Sequence, residues 1–418
     1  MNMQPLTMNH VDSDTETLLT SYPASSFSRP SSISSAPSSL AVKASETDKP
    51  FVSGCPVSSL FEIRDTPTAG RAVFATRDVA AGTLLWRSDD LTLSVLLREY
   101  RREVCGQCFA YDYGRDLPIR DQTVGFAFCS GDCRETWRRE TGEVGVQAWT
   151  EVSMLVNKKK GGSNNNNNNN NNAGGGGKAR DEMVDITIPK PAAEEITQAW
   201  QATKGQAELI RTLRTAESST DDSKGGVPIT KQHRKALQKA LQQPIEPDVM
   251  NFCVGSLVAL YNHPKRWEHV LSLAVDSTPY INTADLHAFT ATYLQLLAVL
   301  PLPLLSLVTP ESLFLISSRD NHNAFGIRSL EDEGSELFGY GCWPAASYWN
   351  HSCRPNVKKK REGRVWEFRA ARDIGRGEEM CITYLGGEEK KWSREKRIST
   401  LKRNWGFECG CRRCEEEL

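Results

Sequence analysis

Two hydrophobic periods divide this chain. From Phe61 to Trp86 apolar and polar residues form short strand-like runs interrupted by the turn glycines Gly70 and Gly82, and from Val365 to Ala370 they alternate with period two. The second run predicts a strand that ends in the turn around Gly375, Arg376 and Gly377. Between these regions, from Ile186 to about Ile316, the spacing becomes helical. Ile196 and Trp200, then Leu209, Ile210 and Leu213, then Val249, Phe252, Val254, Leu257 and Leu260, then Leu286, Phe289, Tyr293, Leu296 and Leu297 recur mostly at three or four residues. Pro301 and Pro303 break that pattern. Strands on both sides of a helical block predict an α+β architecture with a helical insert.

Two segments carry too little apolar surface to offset the entropy of ordering. Residues 1–50 are rich in Ser, Thr and Pro and are expected to be a disordered tail. Residues 157–180 contain Lys158 to Lys160, nine consecutive asparagines from Asn164 to Asn172, and six glycines, the composition of a disordered linker.

Composition narrows the classes. The 418 residues suffice for two or three domains, and 51 basic against 52 acidic side chains leave no global field to recruit nucleic acid. The longest apolar run, Leu294 to Val308, is too short to span a bilayer and is interrupted by prolines, so no membrane segment is expected. Asp12, Asp14 and Glu16 stand where a secretory signal would be apolar, which points to a reducing compartment, nuclear or cytoplasmic or both.

In such a compartment the twelve cysteines read as metal ligands and small buried residues before disulfides. Cys105 and Cys108 are spaced C-x-x-C and answered by Cys129 and Cys133, spaced C-x-x-x-C. Cys409, Cys411 and Cys414 form a trio that needs a fourth ligand to close a structural zinc site. Cys55, Cys253, Cys342 and Cys381 sit among apolar neighbours and read as packing residues.

The most specific signal has two halves. One is Asn350-His351-Ser352-Cys353-Arg354-Pro355-Asn356, and the other runs Gly377-Glu378-Glu379-Met380-Cys381-Ile382-Thr383-Tyr384. Together they closely resemble the C-terminal core of SET-domain lysine methyltransferases, in which the two segments cross as a pseudoknot. The cysteine pairs at 105–133 resemble the MYND finger of the SMYD branch, reduced to the four ligands that share its first zinc. The resemblance implies a fold of small sheets (a β-clip), with an N-terminal SET half at 57–100 and a partial MYND finger at 101–140. A helical SET insert follows at 181–320, then a C-terminal SET core at 321–386 and a post-SET zinc motif at 387–418. Longer members add a helical-repeat domain with no counterpart after Cys414, so a more open groove is expected.

The implied activity is transfer of a methyl group from S-adenosylmethionine to a lysine of a histone or other protein. Tyr384 matches the channel tyrosine that holds amine and donor in line. Cofactor contacts carry over to Gly70 and Arg71, to Asn323 in a short Asn-x-Phe-x-Ile strand, to Asn350 and His351, and to the aromatic Phe407. Asn323 can equally be a turn residue. For His351 a fixed structural contact outweighs a general base or a metal ligand. Where the family has a second loop glycine this chain has Ala72, whose Cβ is expected to weaken cofactor binding. Cys353 is implied as the fourth ligand beside Cys409, Cys411 and Cys414, giving two zincs in all with the set Cys105, Cys108, Cys129 and Cys133.

The protein partner is one that presents a lysine, with proline-containing peptides a further expectation at the finger, and a monomer is expected. Lys358 to Arg361 read as a solvated charge run at a hairpin tip before a nuclear-localisation or nucleic-acid patch. The other classes to weigh are a catalytically weak SET scaffold that binds protein partners and a zinc-finger nucleic-acid binder; balanced charge argues against the second.

Overall fold

A computed structural model describes residues 54–67, 69–162, 189–217, 228–330 and 336–418. The expected disordered tail and most of the expected linker lie outside the described residues. The strands are β1 (Phe61–Thr66), β2 (Gly70–Ala75), β3 (Leu84–Ser88), β4 (Leu93–Leu96), β5 (Ile119–Asp121), β6 (Phe126–Phe128), β7 (Ala324–Arg328), β8 (Leu337–Cys342), β9 (Val357–Glu362) and β10 (Val365–Ala370). The helices are α1 (Gly131–Gly162), α2 (Ala193–Glu217), α3 (Lys231–Gln242), α4 (Pro247–Asn262), α5 (Pro264–Leu271), α6 (Thr283–Val299), α7 (Leu302–Leu305), α8 (Pro310–Asn323), α9 (Arg394–Trp405) and α10 (Arg412–Glu416). The α+β reading holds.

The strands form small antiparallel sheets: β1 with β2, β3-β10-β9, β4-β8-β7, and β5 with β6. In the third of these, Gly339 at φ 157° lies so close to the backbone of β4 that a Cβ would stand 1.9 Å from the Val95 carbonyl oxygen. Only glycine permits that approach. The sheet core gathers Phe338, Trp343, Trp349, Phe368 and Ile382, with the Trp349 and Phe368 rings stacked at 4.3 Å.

The helices enclose a second core containing Ile210, Phe252, Leu257, Phe289, Leu296 and Leu297. Their ends follow local chemistry. Asn282 caps α6 by accepting the Asp285 N–H, and Thr309 caps α8 by accepting the Ser312 N–H, with Pro310 at the first helical position. Pro301 and Pro303 end α6 and open the short α7, as the sequence pattern predicts.

Three placements differ from expectation. The segment expected as a finger to residue 140 and a linker from 157 is crossed by α1, which continues to Gly162 and changes direction at Gly142 (φ 68°). At that break the Asn262 side chain donates to the Thr141 carbonyl at 2.6 Å. Phe126, Phe128 and Trp137 of the finger belong to the same core as the insert, so the finger is not a separate module. Asn323 ends α8 instead of lying in a strand. Lys358 to Arg361 form most of β9 and not a solvated tip: the pleat turns Lys358 and Lys360 outward and carries Lys359 and Arg361 inward. No helix among the described residues is long and apolar enough to cross a membrane.

Candidate active site

The two motif halves meet as threaded strands. Ile382 donates its N–H to the Asn350 carbonyl at 2.9 Å, and Ser352 donates to Ile382 at 2.8 Å, a parallel bridge that leaves the main-chain groups of His351 facing the other way. Met380 donates to Val73 at 2.7 Å and Ala75 to Glu378 at 3.0 Å, so the second half also extends β2. The hairpin β9–β10 joins the halves.

Asn356 clamps the crossing. Its buried side-chain amide donates to the Glu379 carbonyl (2.8 Å) and to Glu378 Oε1 (3.0 Å), while Oδ1 accepts the Cys381 N–H (2.8 Å). Sequence reasoning used Asn356 only as part of the motif; three-way satisfaction of a buried amide explains its role.

Four rings gather on one side of the crossing. Tyr384 lies 5.4 Å from His351, 5.3 Å from Trp405 and 6.2 Å from Phe407, and His351 lies 6.1 Å from Phe407. The Tyr384 hydroxyl donates to the Trp349 carbonyl at 3.0 Å, and burial pushes its phenol above the ordinary range, so it stays protonated. Burial pushes His351 down to about 4, which keeps the imidazole neutral. Its Nδ1 accepts the Tyr384 N–H at 3.0 Å, so Nε2 carries the proton and donates toward Cys353 Sγ at 3.3 Å. With both ring nitrogens engaged, His351 is a fixed contact and not a base.

Gly70, Arg71 and Asn350 share an edge of this site. Arg71 donates to the Tyr348 hydroxyl (2.9 Å) and the Ser272 carbonyl (2.6 Å) and lies over the Tyr348 ring. The Asn350 amide donates to the Arg71 carbonyl and to Glu379, each at 3.2 Å. Gly70 has φ 63°, and a Cβ there would meet nothing within 4 Å. The left-handed residue of this loop is Gly70, and the methyl of Ala72, expected to weaken cofactor binding, is fully buried in the fold. Asn323 is buried at the rim, its amide donating to the carbonyls of Ala274 (2.9 Å) and Arg319 (2.8 Å). Its own carbonyl accepts the Ser347 hydroxyl at 3.2 Å, so Asn323 is tied to the segment leading to Asn350 through its backbone.

The structure brings eight thiols into two tetrads. Cys105, Cys108, Cys129 and Cys133 form one, and Cys353, Cys409, Cys411 and Cys414 the other; within each the sulfurs lie within 4.8 Å of one another. The resolved sulfur separations, 3.5 Å for Cys108–Cys129 and Cys129–Cys133, 3.6 Å for Cys353–Cys414 and 3.9 Å for Cys353–Cys409, are too long for disulfides. They match the edge of about 3.8 Å that a tetrahedron with metal–sulfur bonds of about 2.3 Å requires. Backbone donors face sulfurs in both sets: Cys129 N–H toward Cys105 (3.5 Å) and Cys353 N–H toward Cys411 (3.4 Å).

One residue escaped sequence reasoning. Arg397 of α9 is 1% exposed, and its Nε donates toward Cys353 Sγ (3.4 Å) while Nη2 donates toward Cys414 Sγ (3.7 Å) and to Glu417 (2.5 Å). Nη1 donates to the Trp392 carbonyl at 2.6 Å. A guanidinium against two sulfurs of one tetrad is what a cluster of thiolates calls for. In sequence it is one cation among the many of residues 390–403.

Compared with known proteins, the chain matches the SET domain over residues 70–385. It is 25% identical over 385 residues to the Saccharomyces cerevisiae protein named potential protein lysine methyltransferase SET6, a match spanning 87% of this chain and 96% of that one. It is 31% identical over 121 residues to the Arabidopsis thaliana histone-lysine N-methyltransferase ASHR2, across 27% of this chain and 30% of that one. With the human histone-lysine N-methyltransferase SMYD3 it shares 39% identity over 95 residues, 23% of this chain and 21% of that one. The match from residue 70 to residue 385 takes in both threaded halves and the helical insert between them, and the chain belongs to the SET-domain family.

Proposed function

We propose that this chain is a protein-lysine N-methyltransferase that uses S-adenosylmethionine, with a zinc ion in each cysteine tetrad. The observation that carries the reading is the crossing itself, which sets the protonated Tyr384 hydroxyl among the rings of His351, Trp405 and Phe407. The surrounding residues fit an adenosyl group. Phe407 offers a ring face, the N–H and C=O of His351 have no partner among the described residues, and Gly70 leaves space beside Arg71 and Asn350. When bound, S-adenosylmethionine supplies an electrophilic methyl on a sulfonium.

The rest of the chemistry falls to the chain's own residues. A lysine amine has a pKa of about 10.4 in water and must enter neutral, and an apolar channel lowers that value by desolvation. Tyr384 and Trp405 are the side chains placed to line such a channel. Transfer forms a bond from nitrogen to carbon as the carbon–sulfur bond breaks, and the amine proton leaves to solvent, so no Cys or Ser nucleophile takes part. Tyr384, held by the Trp349 carbonyl and unable to ionise near neutrality, orients by its hydroxyl dipole and withdraws no proton. The rate gain is therefore one of alignment. Burial of the Ala72 methyl supports the enzymatic reading over that of a catalytically weak scaffold.

Calorimetric titration with S-adenosylmethionine, followed by labelled-methyl transfer to a lysine-peptide array, tests the proposal. Tyr384→Phe should keep the fold and cofactor binding and lower turnover by roughly ten- to a thousandfold, as expected for one positioned hydroxyl. Unchanged turnover removes Tyr384 from the mechanism, and absence of cofactor binding by the wild-type chain refutes the enzymatic reading.

A further inference from the structure

Strand β9 carries a lysine where its neighbours would favour an apolar residue. Lys359 points inward between Val357 and Arg361, and its ammonium lies 4.8 Å from the centre of the Phe325 ring and 5.7 Å from that of Trp366. Arg361, on the same face, is satisfied by the carbonyls of Gly363 (2.7 Å) and Arg328 (2.5 Å). Lys359 has no carboxylate or carbonyl partner among the described residues. Burial, helped by the cations Lys390 and Arg328, pulls its ammonium down to about 8, so it is still mostly charged at neutral pH. Rings compensate part of the desolvation. Among the described residues no opposite charge stands beside it, which is uncommon for a side chain of this kind.

Its location gives that imbalance a use. Val357 N–H bonds to the Cys381 carbonyl, three residues before Tyr384, and Lys359 follows on the same face roughly 6.6 Å along the strand. Phe325 lies one residue into β7, just past the rim residue Asn323, and Lys390 lies in the short turn Gly387–Lys391 that follows Tyr384. The charge of Lys359 is also felt at His351. The ammonium thus lies against the Phe325 ring of β7 and within electrostatic reach of His351 and of Lys390 in the turn after Tyr384.

We infer that Lys359 reads the residue flanking the target lysine and selects an aspartate or glutamate there, so that the substrates are proteins in which an acidic residue stands within one or two positions of the methylated lysine. The inference rests on the lysine-methyltransferase reading above. A flanking carboxylate supplies the counter-charge missing beside Lys359, whereas a flanking arginine or lysine adds a further cation to Lys359, Lys390 and Arg328.

The test uses the full chain and three fluorescent lysine peptides, identical except for acidic, neutral or basic flanking residues, followed by anisotropy at low and high salt. The acidic peptide should bind at least about tenfold tighter than the basic one, with the advantage shrinking as salt screens it. Lys359→Met, which keeps contact with both rings, should abolish the preference, and Lys359→Arg should retain it. Equal affinities for the three peptides, or a preference that survives Lys359→Met, overturns the inference; if Lys359→Met does not fold, a wild-type preference insensitive to salt does so alone. Methyl transfer to the same peptides keeps the two readings apart. Lys359-dependent acidic binding without any transfer supports the groove and refutes only the enzymatic reading, whereas equal transfer to all three refutes only the selectivity.

Discussion

Replacing Arg397 by methionine tests how far the C-terminal tetrad depends on a charge outside it. Four thiolates around a divalent ion leave a net charge of −2, and Arg397 is the cation whose N–H groups face two of those sulfurs, at 3.4 and 3.7 Å. The side chain is 1% exposed, so water does not take its place without rearrangement. Methionine fills the same space without donors. Glu417 remains 37% exposed and solvated after the change, so the loss falls chiefly on the two sulfurs and on the Trp392 carbonyl. Outer-sphere partners of this kind are worth about ten- to a hundredfold in metal affinity, or about 1.4–2.8 kcal/mol. Competition with a chelator, read by a metallochromic indicator, should therefore release the C-terminal zinc earlier in Arg397→Met while the finger zinc leaves as in wild type. Because Trp405 ends α9 and Phe407 follows it just before Cys409, cofactor affinity should fall with the metal. Release of both zincs at wild-type chelator concentrations would show that Arg397 only packs against the cluster.

Two further outcomes follow from the same geometry. Wild-type protein should contain two zincs by elemental analysis, and Cys411→Ser should contain one while binding cofactor at least about tenfold more weakly, roughly 1.4 kcal/mol; zinc loss with undiminished cofactor binding would exclude Phe407 from the pocket. Burial pulls the Lys359 ammonium down to about 8 in the fold from about 10.4 unfolded, so between those values the unfolded chain binds more protons and stability rises with pH. Its penalty is complete below about pH 8. Lys359→Met should melt at a higher temperature than wild type at pH 7, with the gap closing toward pH 10, and a gap independent of pH would refute the burial argument.

The crossing was legible because it is written in two short segments whose residues each have one job: Asn356 clamps, Ile382 bridges and Cys353 joins the tetrad. The cysteine sets were legible through spacing. What the sequence concealed depends on direction in space. Arg397 resembles every other cation of its helix until α9 is docked on the tetrad. Lys359 sits in a run that looks uniformly solvated, but a strand sends alternate residues to opposite faces, and that run is a strand. Sequence also does not say that Gly70, and not residue 72, turns left-handed in its loop. That Phe126 and Trp137 of the finger share the core of the insert shows only once the chain is folded.

The pairing of β2 with residues 377–380 also has a consequence in time. Its two sides are separated by about 300 residues, and at roughly 5–20 residues per second a ribosome needs on the order of 15–60 s to deliver the second after the first. The entropy of closing so long a loop grows only logarithmically with its length, so delay, more than the cost of closure, is the hazard. During that interval the helical insert can bury its own core, but the free side of β2, from Gly70 to Ala75, waits as an unpaired edge. The matching segment of a neighbouring nascent chain, if finished first, can take that place. Synthesis from crowded polysomes therefore exposes this fold to strand exchange between copies, and slower initiation relieves it.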